Sequence, residues 1–438
     1  MTHSNSTNSQ LLKLALPMLI AGISTPLLGM VDTAVVGHLD EVYYLGAVAL
    51  GAMIFNFLFW GVGFLRMSST ALTARATGQD AVDEVQLVLF RGLFIAAVLG
   101  VLFISAQSLI ANFVFGFIES SAQVIHYANV YFDIRIWSAP ATLANYVLLG
   151  WFLGQGRANL NLYLVVFGNL LNIFLDLIFV IYFQMNVAGV AWATVIAEYF
   201  VLFIGLFLAY NKFTLRIDIR IVRQVLMPAV FVKYLKFNRD IFLRTLFLIA
   251  CFSFFTISSA KYGELVLAAN AVLMNLQTFM AYVMDSIAHA VEVLVGKNYF
   301  RQKQEKLISI FKVSLFWSVI FALIFSLFYL VFGQWIVSLL TNMESVVLTA
   351  LSFMIWMILS PLLSVWSYWF DGVFIGANQA KYMRNTMLFS MLVFFVLFYL
   401  LQPYENHGLW AALMGFMFAR GVSMAYVFKN KQLMHPRV

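Results

Sequence analysis

Twelve long apolar runs, one after another, leave this chain very few ways to fold. Read with breaks at charged residues and at Gly/Asn/Pro clusters, they cover about 11–38, 43–73, 88–115, 123–153, 157–183, 187–211, 238–260, 264–296, 306–333, 345–375, 381–402 and 407–428. About 20 apolar residues in a helix match the ~30 Å hydrocarbon slab, whereas a membrane β-barrel needs short alternating strands. Only 10% of the 438 residues are charged, against about 25% in a soluble domain. The expected class is an all-α polytopic membrane protein with twelve transmembrane helices.

The remaining composition removes other classes. One cysteine, Cys251, allows no internal disulfide and no Cys-cluster metal site, and no metal or other cofactor is expected. Walker A, GxSxG, HExxH and Gly-rich dinucleotide motifs are missing, so the chain is expected to be neither an enzyme nor driven by ATP on its own. An ion gradient is the ordinary energy source left. The opening MTHSNSTNSQ runs straight into a helix too long for a signal peptide, so no cleaved leader is expected.

The net charge of +7 matters through its placement, and no nucleic-acid partner is expected from it. Arg75, Arg91, Arg157, the cluster from Lys212 to Arg239, Lys297 to Lys306, Lys381, Arg384, Lys429, Lys431 and Arg437 fall on alternate turns and the tail. The turns between hold HLDEVYY, FGFIESSAQ, FQMN, KYGE, TNMES and QPYENH, with Lys261 the single basic residue. By the positive-inside rule both termini are cytoplasmic.

The halves repeat. LLGWFLGQGRANLNLY (148–163) aligns with FDGVFIGANQAKYMRN (370–385) at a constant offset (370 − 148 = 222). YLGAVALGAM (44–53) aligns with VLAANAVLMN (266–275) at the same offset. ALTARATGQD (71–80) matches VEVLVGKNYF (291–300) loosely, Gly78 on Gly296, at another offset (296 − 78 = 218). Both halves start on one side of the membrane, which predicts two six-helix lobes in a parallel repeat, a transporter architecture. The predicted lobes are 1–210 and 238–438, joined by a basic cytoplasmic linker, 211–237.

Polar residues at membrane depth are the candidate site. Span 1 carries Asp32 together with Pro17 and Pro26, so it combines a titratable group with weak points in its backbone ladder. It reads equally as an ordinary spanning helix with one polar residue at a packed interface. Span 5 places Asn169, Asn172 and Asp176 on one stripe, and span 6 places Thr194 and Glu198 one turn apart. In span 4, Tyr131 and Arg135 share a face, with Arg135 expected to meet a carboxylate of another helix or to reach the interface. Asp32, Asp133, Asp176 and Glu198 thus face one deep arginine, and several acids in a low dielectric do not all ionise cheaply. An interhelical polar network that only holds the bundle together is the alternative.

In the second half, Arg244 and Asp240 read as interface anchors, and Asp285, Glu292 and Asp371 as packing or loop-capping charges. Trp366, Tyr368 and Trp369 read as core or lipid-facing, with a cavity for greasy cations as the other use of such residues.

LALPMLIAGISTPLLGMVDTAVVGHL, YLGAVALG, LRMSSTALTARATGQ and SAPATLANYVLLGWFLGQGRANLNLYLVVFGNLLNIFLDLIFV together resemble the multidrug and toxic compound extrusion (MATE) transporters. VAGVAWATVIAEY, FNRDIFLRTL, AANAVLMNLQTFMAYVMD and WFDGVFIGANQAKYMRN extend the resemblance to the DinF (DNA-damage-inducible F) branch, over about 11–430. The resemblance implies a V-shaped, two-lobed fold and a monomeric, multi-pass antiporter of the bacterial inner membrane, exporting organic cations and other toxic compounds in exchange for H⁺ or Na⁺. It places the family's coupling residues on Asp32, Asn172, Asp176, Thr194 and Tyr131, and its bending proline on Pro17. Asn169, Glu198 and Asp371 remain accessory candidates. The Na⁺ branch with a site in the second lobe uses acids in both spans 7 and 10, whereas span 7 here has none beyond Asp240, which favours the proton. A lipid-linked precursor flippase of the same superfamily is the runner-up, and an uncoupled membrane receptor or channel is the reading from another class.

Overall fold

An apolar segment in lipid satisfies its backbone only as helix or closed barrel, and continuous apolar runs take the first solution. The computed structural model describes all residues except 1, 38, 40, 117, 119, 214–223, 226, 302–303 and 432–438. Among the described residues there is no strand, and twelve helices are long and apolar enough to span: α1 (Ser6–Gly37), α2 (Tyr43–Gly78), α3 (Val82–Ser105), α4 (Ala122–Gly154), α5 (Ala158–Tyr182), α6 (Asn186–Asn211), α7 (Val230–Tyr262), α8 (Glu264–Tyr299), α9 (Gln304–Leu340), α10 (Met354–Gly376), α11 (Ala380–Leu400) and α12 (Gln402–Asn430).

Two runs are divided differently from expectation. The 88–115 run breaks after Ser105, and Gln107–Phe115 is a separate short helix, because the 24 residues of α3 already exceed the slab. The 345–375 run breaks at Phe353 into a short helix, Glu344–Ser352, and α10. Several spanning helices are also irregular, among them three in the first half. A turn at Val62–Gly63 interrupts α2, a 3₁₀ turn at Ile136–Ser138 precedes Pro140 in α4, and α5 closes in a π-helical turn, Leu177–Tyr182.

The chain forms two compact units, one of residues 20–235 and one of residues 1–19 with 236–438. Helix α1 passes from one to the other at Leu19–Ile20, just beyond Pro17. Most of the expected basic linker, at 214–223 and 226, lies outside the described residues.

Within the first unit α4 lies directly on α2. A Cβ at Gly150 would stand 2.4 Å from the Arg66 carbonyl oxygen, and one at Gly154 2.6 Å from that of Thr70. Within the second unit α10 lies on α8 in the same way: a Cβ at Gly372 would stand 2.4 Å from the Ala288 carbonyl oxygen, and one at Gly376 2.6 Å from that of Glu292. Small residues let membrane helices approach backbone to backbone. All four contacts keep the offset of 222, so Thr70 answers to Glu292, and the loose match of 71–80 with 291–300 at 218 is not the packing register. The helix bounds agree. Helix α8 starts at Glu264 and the regular helix of α2 at Val42 (264 − 42 = 222). The ends of α10 and α4, Gly376 and Gly154, and the starts of α11 and α5, Ala380 and Ala158, keep the same spacing. Only α12 departs. Its regular helix starts at Glu405, against Asn186 for α6 (405 − 186 = 219), and both residues have φ near +50°.

Candidate functional site: an acid pair on helices α1 and α5

Helix α5 is polar on the side it buries. Its buried residues are Ala158, Asn161, Leu164, Gly168, Asn172 and Asp176, while Leu170, Phe174, Leu177 and Ile181 are exposed as lipid-facing residues should be. Gly168 lets this stripe approach α6, since a Cβ there would stand 2.6 Å from Val201. Asp176 is fully buried and Asn172 almost so. With the Asn172 amide oriented to satisfy both its ends, its nitrogen donates to Asp176 Oδ2 at 3.1 Å and its oxygen accepts from Thr194 of α6, also at 3.1 Å. The Thr194 hydroxyl lies 3.0 Å from the Val190 carbonyl.

Asp32 of α1 is half-buried and brings its carboxyl into hydrogen-bonding range of Asp176. Asp176 Oδ1 is buried and has no donor. Two carboxyls therefore face each other with one oxygen unserved. Tyr131 of α4 is 4% exposed, and its hydroxyl bonds to Arg135 one turn on. Its ring fills the notch left at Gly51 and packs against Phe55. Arg135 is held by Ser138 and by the rings of Phe55 and Phe59, each 5.5 Å from its guanidinium carbon, and lies close enough to Asp32 for its charge to act there. Asp32, Asp176, Asn172, Thr194, Tyr131 and Arg135 thus form one cluster on four helices.

The other candidates stand elsewhere. Asn169 donates to Ser24 of α1 at 3.0 Å, two turns before the acid pair. Glu198 accepts from Asn145 of α4 at 2.8 Å and is a clasp between α6 and α4. Asp133 is exposed, on the face of α4 away from Tyr131 and Arg135, and is not one of the deep acids. Pro17 is buried, in the part of α1 that belongs to the other unit.

In the second unit the expected role of Arg244 is corrected, while Trp369 stands in the core as expected. Arg244 is no interface anchor: it is 7% exposed and binds Asp371 Oδ2, to which Arg420 of α12 also donates, at 2.8 Å. Two guanidiniums hold one carboxylate here, with Asp285 near Arg420. Asp240, by contrast, pairs with Arg239 and with Arg384 at 3.0 and 2.7 Å. Trp369 is core, its indole donating to Ser314 at 2.8 Å. Arg420 was not singled out from the sequence, although a mid-span arginine demands a partner and that demand was the available signal.

A cluster of acids, an amide, a hydroxyl and a phenol at membrane depth has the chemistry to take up a proton or a small cation. Among the described residues no group of three or more His, Cys, Asp or Glu side chains has the arrangement of a metal site.

Comparison with known proteins gives the chain its family. The MatE family model matches residues 17–178 and 241–400. DNA damage-inducible protein F of Escherichia coli is 41% identical over 430 residues, covering 98% of this chain and 94% of that one. Multidrug resistance protein NorM of Vibrio cholerae is 25% identical over 300 residues, 67% of this chain and 65% of its own. Among solved structures, the MATE transporter VcmN of Vibrio cholerae superposes with a TM-score of 0.86 at 18% identity, covering 99% of this chain and all of that chain. The chain is a multi-pass membrane protein of the MatE family of transporters.

Proposed function

We propose that this protein is a secondary active exporter that takes in H⁺ and expels amphipathic organic cations or related toxic compounds across the bacterial inner membrane. The observation that carries the reading is the meeting of Asp32 and Asp176 with Asp176 Oδ1 buried and unserved. A proton on either carboxyl supplies the missing donor, and its release leaves two facing charges in a low dielectric. Occupancy by a proton therefore changes how strongly α1 is held to α5. In this reading Asn172, Thr194 and Tyr131 orient the pair, and bending of α1 at Pro17 carries the change along the helix, about 22 Å from Asp32. The NorM relative is named for multidrug resistance, which supports export of drugs, and organic cations as the cargo follow from the resemblance to the family.

In this reading the chain works as a monomer of two six-helix lobes joined by the basic linker expected over 211–237, whose residues from Val230 on are already helix α7, and the placement of Lys and Arg supports cytoplasmic termini. Na⁺ exchange at the same residues is the second reading, because two carboxyls, an amide oxygen and a hydroxyl also suit that ion.

The test is efflux of a fluorescent organic cation from reconstituted vesicles under an imposed pH gradient or an imposed Na⁺ gradient, for wild type and Asp32→Asn. Flux driven by pH alone in wild type and lost in the variant is the expected result. Flux driven by Na⁺ alone sinks the proton reading, and the absence of gradient-driven flux sinks the exporter.

A further inference from the structure

The repeat allows each residue of the acid-pair site to be followed into the other half, on a register set by backbone contacts. Gly150 and Gly154 rest on the carbonyls of Arg66 and Thr70, and their counterparts Gly372 and Gly376 rest on those of Ala288 and Glu292. Gly156 and Asn378, at the same offset (378 − 156 = 222), both have positive φ, at 80° and 57°. The regular helix of α7 ends at Ser259 and that of α1 at Gly37, again in register (259 − 37 = 222).

On that register Asp32 answers to Phe254, Asn172 to Phe394 and Asp176 to Phe398. Tyr131 answers to Phe353, Arg135 to Met357, Ser24 to Leu246 and Asn169 to Met391. On the register of α12, where Glu405 answers to Asn186, Thr194 answers to Leu413. Every polar member of the site has an apolar counterpart.

The counterparts also meet. Phe254 and Phe398 pack edge to face with ring centroids 4.9 Å apart, across the helix pair that corresponds to α1 and α5. Phe254 meets Phe394 at 5.9 Å and Phe395 at 5.0 Å, and Phe394 in turn meets Phe416 at 6.2 Å. Phe394 and Phe398 are buried in one apolar cluster with Phe353, Met357 and Leu413, against which Phe254 and Met391 are packed. Edge-to-face rings attract each other beyond the area they bury, and their contact depends on neither a proton nor an ion.

The buried charge of this half stands at other positions. Asp371 answers to Leu149, Arg244 to Gly22 and, on the α12 register, Arg420 to Val201, so this trio has no charged counterpart in the first half. Cys251, one turn before Phe254, is buried on the same helix, and the charge acting on it is that of Arg420.

We propose that the C-terminal half holds a closed copy of the ion-exchange site, in which the Phe254–Phe398 contact replaces the Asp32–Asp176 contact and keeps α7 and α11 together throughout the cycle. One exchange site then serves the whole chain, and the movement coupled to it is confined to the α1–α5 pair. The inference rests on the exchange function proposed above for Asp32.

Hydrogen–deuterium exchange of the full-length protein in lipid nanodiscs, without substrate, tests it at about pH 5 and about pH 8 with correction for intrinsic rates. For segments 24–37 and 169–182 the expected change in protection is about tenfold or more in wild type and is lost in Asp32→Asn. For segments 246–259 and 391–400 the expected change is less than about twofold in both proteins. In Phe398→Leu, segments 246–259 and 391–400 lose protection while 24–37 and 169–182 keep the full response. A response in 246–259 and 391–400 that equals that of the acid pair and persists in Asp32→Asn overturns the closed copy. A flat profile in all four segments overturns the proton reading of Asp32, and with it the claim of a single site.

Discussion

Asn169 donates to Ser24 Oγ at 3.0 Å, and this bond ties α5 to α1 independently of the acid pair two turns further along both helices. The first contact is neutral, while the second, on the function proposed above, changes with protonation, so that α1 would be anchored on one side of a point that can loosen. Replacing Asn169 by Ala removes one interhelical hydrogen bond, worth about 0.6 kcal/mol on average in membranes. The expected result is a slightly lower melting temperature with pH-driven efflux within about twofold of wild type. Loss of flux as severe as that of Asp32→Asn would make the bond part of the coupling machinery instead.

Asp176→Asn keeps shape and loses the proton. An amide gives Asp32 a permanent donor, so the pair no longer has two states. Flux under a pH gradient should fall by at least about tenfold, equivalent to about 1.4 kcal/mol. The protein should melt no earlier than wild type, because a buried unserved oxygen has been removed.

Asp371 sits between two arginines, and the order of damage on dismantling the trio follows from what each change leaves behind. Asp371→Ala strands Arg244 and Arg420 together in the core and should cost about 3–5 kcal/mol. Arg420→Met leaves the carboxylate with Arg244 and should cost less. Cys251, the one cysteine, is fully buried, so a thiol-reactive fluorogenic dye reports unfolding without any added label. If Arg420→Met melted earlier than Asp371→Ala, the paired description of the trio would fail.

The glycine contacts make a prediction in duplicate. A Cβ at Gly150 or at Gly372 meets a backbone carbonyl at 2.4 Å, and backbone does not step aside as a flexible side chain does. Each Gly→Ala variant should lose about 1–3 kcal/mol. Dye-detected melting should show similar losses at both positions, and a tolerated alanine at one of them would break the correspondence of the two packings.

Much of this was legible in the sequence because lipid removes alternatives. Spans emerged from length and hydropathy, and the Asn169–Asn172–Asp176 stripe emerged from helical period, since a polar face on a membrane helix has to turn inward. What periodicity does not give is the partner across the gap. Asp32 and Asp176 lie on the first and fifth spans, and their being acids at membrane depth grouped them with Asp133 and Glu198 without giving which of them meet. Arg420 lay in FMFARGV, surrounded by residues that look like lipid contact, and its carboxylate partner stands two helices earlier, on α10. Phe254, Phe394 and Phe398 were invisible for the opposite reason: among 45 phenylalanines none stands out until a register assigns it a counterpart.

The π turn that follows Asp176 has a consequence for the length of α5. Its Phe183 N–H reaches back to the Ile178 carbonyl at 2.9 Å, one position further than a regular α-helical bond, as in a helix that has taken in an extra residue. Among the described residues it is the only π turn, so α5 is there the one helix with a residue to spare. Deleting one residue between Leu177 and Tyr182 would let the turn tighten to a regular α-helix, leaving Asp176 and all that precedes it in place. One residue taken from the interior of α11, which is regular α-helix from Ala380 to Leu400, would instead rotate the rest of that helix by about 100°. The same small deletion is therefore absorbed in one half of the molecule and ruinous in the other.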